Sequence, residues 1–140
     1  MRDNKSFAGK RPIEILEQLL FELIPGNYSP FGQSYDWKVS RHFSEYDYSG
    51  WEVIEEEFSQ EYARVVSEIQ EAWGKPRFKG DPETPGYPKW FRIWAIGMCY
   101  WVREEGVAYV AFHREDRELP YWIMFGAITE EAIEEASELS

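Results

Sequence analysis

Residues 51–73 read WEVIEEEFSQEYARVVSEIQEAW, and large apolar side chains recur in this segment every three or four positions. Glutamate and other polar residues fill most of the positions between them, so one stripe is apolar and the opposite face is acidic. This spacing predicts an amphipathic helix of about six turns that buries its apolar stripe. Ser49 is placed to cap the helix, while Gly74 and Pro76 are placed to end it.

Three apolar segments follow this helix. Trp90–Val102 is apolar at both alternating sets of positions, as in a strand buried on both faces or in a buried helix. Its aromatic and β-branched residues favour the strand, with Gly97 as a bulge or a close-packing point. Val107–Phe112 and the segment from Pro120 to Ile128 are the next two strands, and short charged turns separate all three. We therefore expect an antiparallel meander packed against the long helix.

The flanking segments add elements at both ends. Pro12 can open a helix over Ile13–Ile24, and Thr129 can cap a last helix over Glu130–Leu139. Between the first two helices, Tyr35, Trp37 and Val39 alternate with polar residues as in a short strand. Phe78–Pro88, rich in proline, glycine and charge, is expected to be an exposed loop. The fold class is α+β: an antiparallel meander of three to four strands, the long helix, and helices at both ends.

Length and composition favour one compact domain. The 140 residues divide into a flexible basic N-terminus at 1–11 and a single α+β domain at 12–140. No apolar stretch suggests a secretory signal or a membrane-spanning helix, so we expect a cytoplasmic protein that does not bind a membrane. Cys99 is the only cysteine, which excludes an intrachain disulfide, and its apolar neighbours predict a buried, inert thiol.

Two properties of the composition bear on function. The chain carries seven Trp, nine Tyr and nine Phe together with a net charge of −11. So many rings can fill a core and leave some for the surface, where Tyr and Trp often anchor partners. The negative charge favours a cationic partner and argues against nucleic acid, because phosphate binding needs clustered lysine and arginine.

The sequence contains no recognisable catalytic apparatus. Two distant histidines, His42 and His113, and one cysteine in an apolar run do not supply the three or four ligands of a zinc site. The sequence also contains no phosphate-binding motif and no nucleophile motif. His113 could act as a base oriented by Glu115 or Asp116, or it could belong to a solvated turn with local ion pairs. We expect no catalytic residues, no cofactor and no metal ion.

Candidate partner-binding residues are acidic, or are tyrosines that flank an acidic residue. Glutamates of the last helix repel one another at i, i+4 spacing, and a basic partner would relieve that repulsion. Tyr46-Asp47-Tyr48 is a possible anchor within an acidic stretch, and the charged turn after His113 is a possible rim. The predicted partner-binding residues are Tyr46, Asp47, Tyr48, Glu115, Asp116, Glu118, Glu130, Glu131, Glu134 and Glu135.

Two short motifs carry a resemblance. Ala72-Trp73-Gly74-Lys75-Pro76 ends the long helix, and His113-Arg114-Glu115-Asp116-Arg117-Glu118-Leu119-Pro120 forms a turn of the following meander. In this layout the chain resembles small bacterial immunity-like proteins of polymorphic toxin systems. The resemblance implies an inhibitor that neutralises a basic toxin or enzyme by direct binding. The alternatives are a small-molecule-binding or enzymatic domain with a Trp-lined pocket, and a homo-oligomeric module, such as a homodimer, with surplus rings at its interface.

Overall fold

The computed structural model describes residues 9–23, 33–40, 50–91, 95–114 and 120–138. Residues 135–138 are described by their backbone alone. Within these ranges the protein is α+β. Its elements are α1 (Pro12–Phe21), β1 (Gln33–Val39), α2 (Trp51–Trp73), β2 (Phe78–Gly80), β3 (Ala95–Val102), β4 (Val107–His113), β5 (Trp122–Ile128) and α3 (Glu130–Glu138).

The strands form one antiparallel sheet in the order β1-β5-β4-β3-β2. The predicted meander is its centre, since β3, β4 and β5 are consecutive neighbours. In the described part of the chain the sheet has five strands rather than three to four, because β1 pairs with β5 at one edge and β2 with β3 at the other. The prediction of a loop over Phe78–Pro88 is thus wrong at its start, where Phe78–Gly80 is paired with Met98–Tyr100.

The ambiguous apolar segment contains a strand. β3 starts at Ala95, and its pairing with β4 shifts register between Ala95 and Gly97, which confirms the predicted irregularity at Gly97. Trp90 lies in a turn before the strand rather than within it. Both alternating sets of β3 are apolar because both faces of the sheet are covered.

The helix ends follow local chemistry. α1 starts at Pro12 as predicted but ends at Phe21, short of the predicted Ile24. α2 is capped by Gly50 at φ 83°, not by Ser49, whereas Gly74 ends it at φ 82°, as expected of a glycine there. Thr129 caps α3, since its Oγ1 accepts a hydrogen bond from the Ala132 N–H at 3.1 Å.

The sheet separates two apolar clusters. α1 and the apolar stripe of α2 pack against one face, through residues such as Leu16, Val65 and Phe125. The opposite face is covered by the segment that includes Trp90 and Phe91 and by Ala132 of α3. None of the helices in the described ranges has the length and apolar character needed to span a bilayer.

Candidate functional site

Six aromatic side chains form a closed circuit of ring contacts on the α3 side of the sheet. Neighbouring centroids around this circuit are 5.1 to 6.4 Å apart. Several pairs meet edge to face, the arrangement that ring quadrupoles favour. Trp90 and Phe91 each contact three of the other rings, including one another. In order, the circuit runs through Phe78, Tyr87, Phe91, Tyr109, Trp90 and Tyr100.

An open cavity of about 290 Å³ lies between this circuit and α3. Trp90, Tyr100, Val107 and Ile133 supply its apolar lining. Its charged lining consists of Arg77, Glu130 and Glu134, and we call the whole cavity the α3 cleft. The cap at Thr129 sets the start of α3, and residues 130, 133 and 134 then fall on one side of the helix, toward the cleft.

The charged groups of the α3 cleft are not neutralised by one another. Among the described residues, Arg77, Glu130 and Glu134 form no salt bridge and no side-chain hydrogen bond. Two carboxylates and one guanidinium therefore line the same apolar-floored cleft without touching. An apolar floor excludes part of the surrounding water, so a ligand charge placed there interacts more strongly than it would on an open surface.

The acidic face of α2 differs from α3 in this respect. Glu57 accepts a salt bridge from Lys38 at 2.8 Å. Glu61 accepts two hydrogen bonds from Arg64 and a third from Trp37 Nε1 at 2.8 Å. These contacts lower the pKa of Glu61, chiefly through Arg64, against the opposing effect of burial. Part of the negative charge of α2 thus stabilises the fold, whereas the described glutamates of α3, Glu130, Glu131 and Glu134, have no salt bridge among the described residues.

The structure describes only some of the predicted partner-binding residues. Glu130, Glu131 and Glu134 are exposed on α3, and the first and third of these line the cleft with the rings. Glu135 belongs to α3, but its side chain lies outside the description. The remaining predictions also lie outside the described residues, namely Tyr46, Asp47, Tyr48, Glu115, Asp116 and Glu118.

Sequence reasoning missed Arg77, Tyr100, Val107 and Ile133 as members of this site. Their signal was weak, because Arg77 stands in a proline- and glycine-rich segment and the others look like ordinary core positions. Only the packing of α3 across the ends of β3 and β4 brings them beside Glu130 and Glu134.

His113 is a core residue in this structure. Its side chain is only 2 % exposed, and its ring stacks on Trp122 with centroids 5.1 Å apart. Trp122 in turn donates from Nε1 to Asp36 Oδ1 at 2.9 Å. The interpretation of His113 as part of a solvated turn is therefore wrong. Its burial also leaves the imidazole without access to a substrate in solvent. His42 lies outside the described residues.

Cys99 is a buried free thiol, as expected. Burial raises its pKa to about 12, against a smaller opposite effect of the Tyr62 hydroxyl beside it. In the described ranges no group of three His, Cys, Asp or Glu side chains is placed to hold a metal ion.

Comparison of the chain with protein-family models, with curated proteins and with solved structures finds no match.

Proposed function

We propose that this protein is an acidic binding domain that inhibits a basic protein by docking it at the α3 cleft, in the manner of an immunity-type inhibitor in the cytoplasm. The observation that carries the proposal is the placement of Glu130 and Glu134, with no salt bridge among the described residues, beside the rings of Trp90 and Tyr100. Carboxylates beside an aromatic lining suit a lysine or arginine side chain of a partner. That side chain would contact the partly exposed ring of Tyr100, since Trp90 is only 6 % exposed.

Electrostatic interactions favour a lysine or arginine side chain of the partner at the α3 side of the cleft. Glu130 and Glu134 are four residues apart on one helix, so their like charges destabilise α3 by a few tenths of a kcal/mol until a cation lies between them. A cation seated over an aromatic face gains about 0.5–2 kcal/mol more, depending on how far it is desolvated. Arg77 repels such a cation from the opposite side and so directs it toward α3.

The net charge of −11 adds a kinetic advantage. A strongly acidic body attracts a basic protein over distances of about one Debye length, roughly 10 Å, and so accelerates encounter. Ring contacts formed after docking act mainly on dissociation. Fast capture and slow release are the properties that an inhibitor of a damaging enzyme requires.

The first test identifies and measures the partner. The immobilised protein is exposed to a lysate of the native host at low and high salt, and each captured protein is identified, purified and tested for direct binding and loss of its own activity. We expect a basic protein whose association slows steeply as salt rises. Capture of acidic proteins only, or a partner whose association ignores salt, would contradict the proposal.

Two variants with equal charge change then locate the surface. The triple substitution Glu130→Gln, Glu131→Gln, Glu134→Gln removes the charge of α3. Its matched control, Glu52→Gln, Glu56→Gln, Glu71→Gln, removes the same charge from exposed positions of α2. We expect the α3 variant to weaken binding at least about tenfold and the control to slow association only about twofold. Equal effects of the two variants would remove the α3 cleft from the proposal.

The α3 cleft also supports a second candidate, the binding of a small zwitterion. Opposite charges that line one cavity without touching can be bridged by a ligand that carries an ammonium at one end and a carboxylate at the other. Arg77→Gln separates the candidates. A zwitterion would lose affinity with the guanidinium, whereas a basic protein would bind equally well or better.

A further inference from the structure

A second cavity, of about 330 Å³, lies at the C-terminal end of α2. Three cationic residues line it, Lys75, Arg77 and Arg103, together with the indoles of Trp73 and Trp101. The described residues of its lining include no carboxylate. We call this cavity the basic pocket. Its positive lining is unexpected in a chain of net charge −11.

The end of α2 fixes one side of the basic pocket. The Gly74 N–H donates to the Gln70 carbonyl at 2.8 Å, and the Gly74 carbonyl accepts from Trp101 Nε1 at 2.9 Å. The chain then turns to β2, and the Arg77 N–H donates to the Tyr100 carbonyl at 2.8 Å. One side-chain and one backbone hydrogen bond from or to β3 thus hold the segment that carries Lys75 and Arg77 against the sheet.

Arg103 is held from the opposite side. Its N–H donates to the Gly106 carbonyl at 2.8 Å in the turn between β3 and β4. The guanidinium carbon lies 4.4 Å from the centroid of the Trp73 ring, and Trp73 meets Trp101 edge to face at 6.0 Å. Stacking on an indole fixes the plane of a guanidinium and leaves its N–H groups free at the edge.

The positive charge of the basic pocket is not neutralised by salt bridges within the described part of the chain. Lys75, Arg77 and Arg103 form no salt bridge there, although Glu104 is adjacent in sequence. Cations near the end of a helix offset the negative end of its dipole, which amounts to about half an elementary charge. Three full charges exceed that requirement, so the pocket keeps a local positive excess.

We propose that the basic pocket binds the phosphate group of a small phosphorylated molecule. Two guanidiniums and one ammonium match the charge and the several acceptor oxygens of a dianionic phosphate better than they match a single carboxylate. The volume corresponds to about ten water molecules, which leaves room for a body beyond the phosphate. This site goes beyond the proposed function, and it neither needs nor uses the basic partner.

The experiment uses the indole N–H signal of Trp101 in a two-dimensional ¹H–¹⁵N spectrum of the full chain. That N–H belongs to an indole that lines the pocket, and it donates to the carbonyl of Gly74, which lies between the lining residues Trp73 and Lys75, so it reports locally. Inorganic phosphate, phenyl phosphate and acetate are titrated at constant ionic strength and about pH 8, where phosphate is dianionic. We expect saturable shifts with both phosphates, tighter binding of the ester, and none with acetate.

Three single substitutions complete the test. Lys75→Gln and Arg103→Gln should each weaken phosphate binding about tenfold, since each removes a charge-assisted hydrogen bond. Lys89→Gln removes the same charge from an exposed residue outside the pocket and should leave binding unchanged. Because no described contact holds the Lys75 ammonium, its variant is expected to fold even if loss of Arg103 from the Trp73 face destabilises the protein.

The outcomes separate this proposal from simpler explanations. Absence of a saturable shift up to about 10 mM phosphate would overturn it. Equal effects of phosphate and acetate, or equal loss in the Lys89→Gln control, would reduce the pocket to general charge screening and would also overturn it. Arg77 lines both cavities, but the variants used here leave Arg77, Glu130 and Glu134 unchanged, so these results are separate from the test of the α3 cleft with a basic protein.

Discussion

The ring of Tyr109 lies across the backbone of Gly126, which is its directly opposed residue on β5. A Cβ atom at position 126 would overlap the ring, and Tyr109 is fully buried with no room to retreat. Tyr109 also contacts Trp90 and Phe91 of the aromatic circuit. The absent side chain of Gly126 thus leaves the space that the Tyr109 ring occupies.

Gly126→Ala is expected to destabilise the protein by about 1–3 kcal/mol, because overpacking forces Tyr109 and its neighbours to move. Urea denaturation followed by tryptophan fluorescence measures the change. The control is Gly97→Ala, whose Cβ would lie 3.3 Å from Tyr62 Cε2 and needs only a small adjustment of that ring. Equal losses in the two variants would contradict the role given to Tyr109.

Glu61 should make stability depend on pH. Its pKa is lowered in the native state, chiefly by Arg64 and also by Trp37, so folding favours the ionised form. The stabilisation is complete well above the ordinary pKa of 4.5 and is lost as the pH falls through the lower, native value. Glu61→Gln should cost about 1–2 kcal/mol at neutral pH and markedly less in acid.

Unfolding free energies of the wild type and of Glu61→Gln at about pH 7 and about pH 3 test this expectation. Glu71→Gln is the control, since Glu71 is exposed on the same helix and forms no hydrogen bond or salt bridge with another described side chain. A cost of Glu61→Gln that stays constant across this pH range would show that packing, not charge, is responsible.

The Tyr121 side chain links α2 to Arg114, the residue that follows β4. Its hydroxyl donates to Glu55 Oε1 at 3.0 Å and accepts from Arg114 Nη1 at 2.9 Å, and the Arg114 guanidinium also lies over the ring. Tyr121→Phe keeps the buried ring and removes both bonds, so we expect a loss of about 1–2 kcal/mol. A variant as stable as the wild type in thermal unfolding would refute the connection.

Cys99 should be unreactive in the native protein. Burial raises the pKa of the thiol to about 12, so the reactive thiolate is scarce at pH 8, and the side chain is fully buried. A thiol-specific reagent should therefore react only as fast as the protein opens, and at once when the protein is unfolded in urea. Rapid stoichiometric reaction of the folded protein would contradict this prediction.

The elements with clear periodicity could be predicted, and the edges of the sheet could not. The three- and four-residue spacing of α2 specifies one buried stripe. The alternation in β1 holds for Tyr35 and Trp37, which pack against the core, but Val39 lies beyond the register shift and is exposed. β2 carries no such pattern, because Phe78–Gly80 is a strand only through its pairing with β3. The sequence predicts Trp90 as part of the strand, because hydrophobicity alone does not distinguish a residue within a sheet from one that packs on the face of the sheet.

Of the residues that line the α3 cleft, only the acidic ones could be predicted from the sequence. Glu130 and Glu134 follow from the cap at Thr129 and the spacing of α3, all of which are local in sequence. Arg77 and Tyr100 join them through tertiary packing. The basic pocket was hidden for a related reason, since Lys75 and Arg103 are far apart in a chain whose overall charge is strongly negative.

The pairing of β1 with β5 has a consequence for synthesis of the chain. Gln33 is opposite Ala127 and Val39 is opposite Trp122, so the first strand has no neighbour until the fifth has left the ribosome. At about 5–20 residues per second, translation separates the two strands by several seconds. During that delay the exposed β1 edge, with Tyr35 and Trp37, is open to wrong pairing, and the early half of the chain is where a chaperone would act.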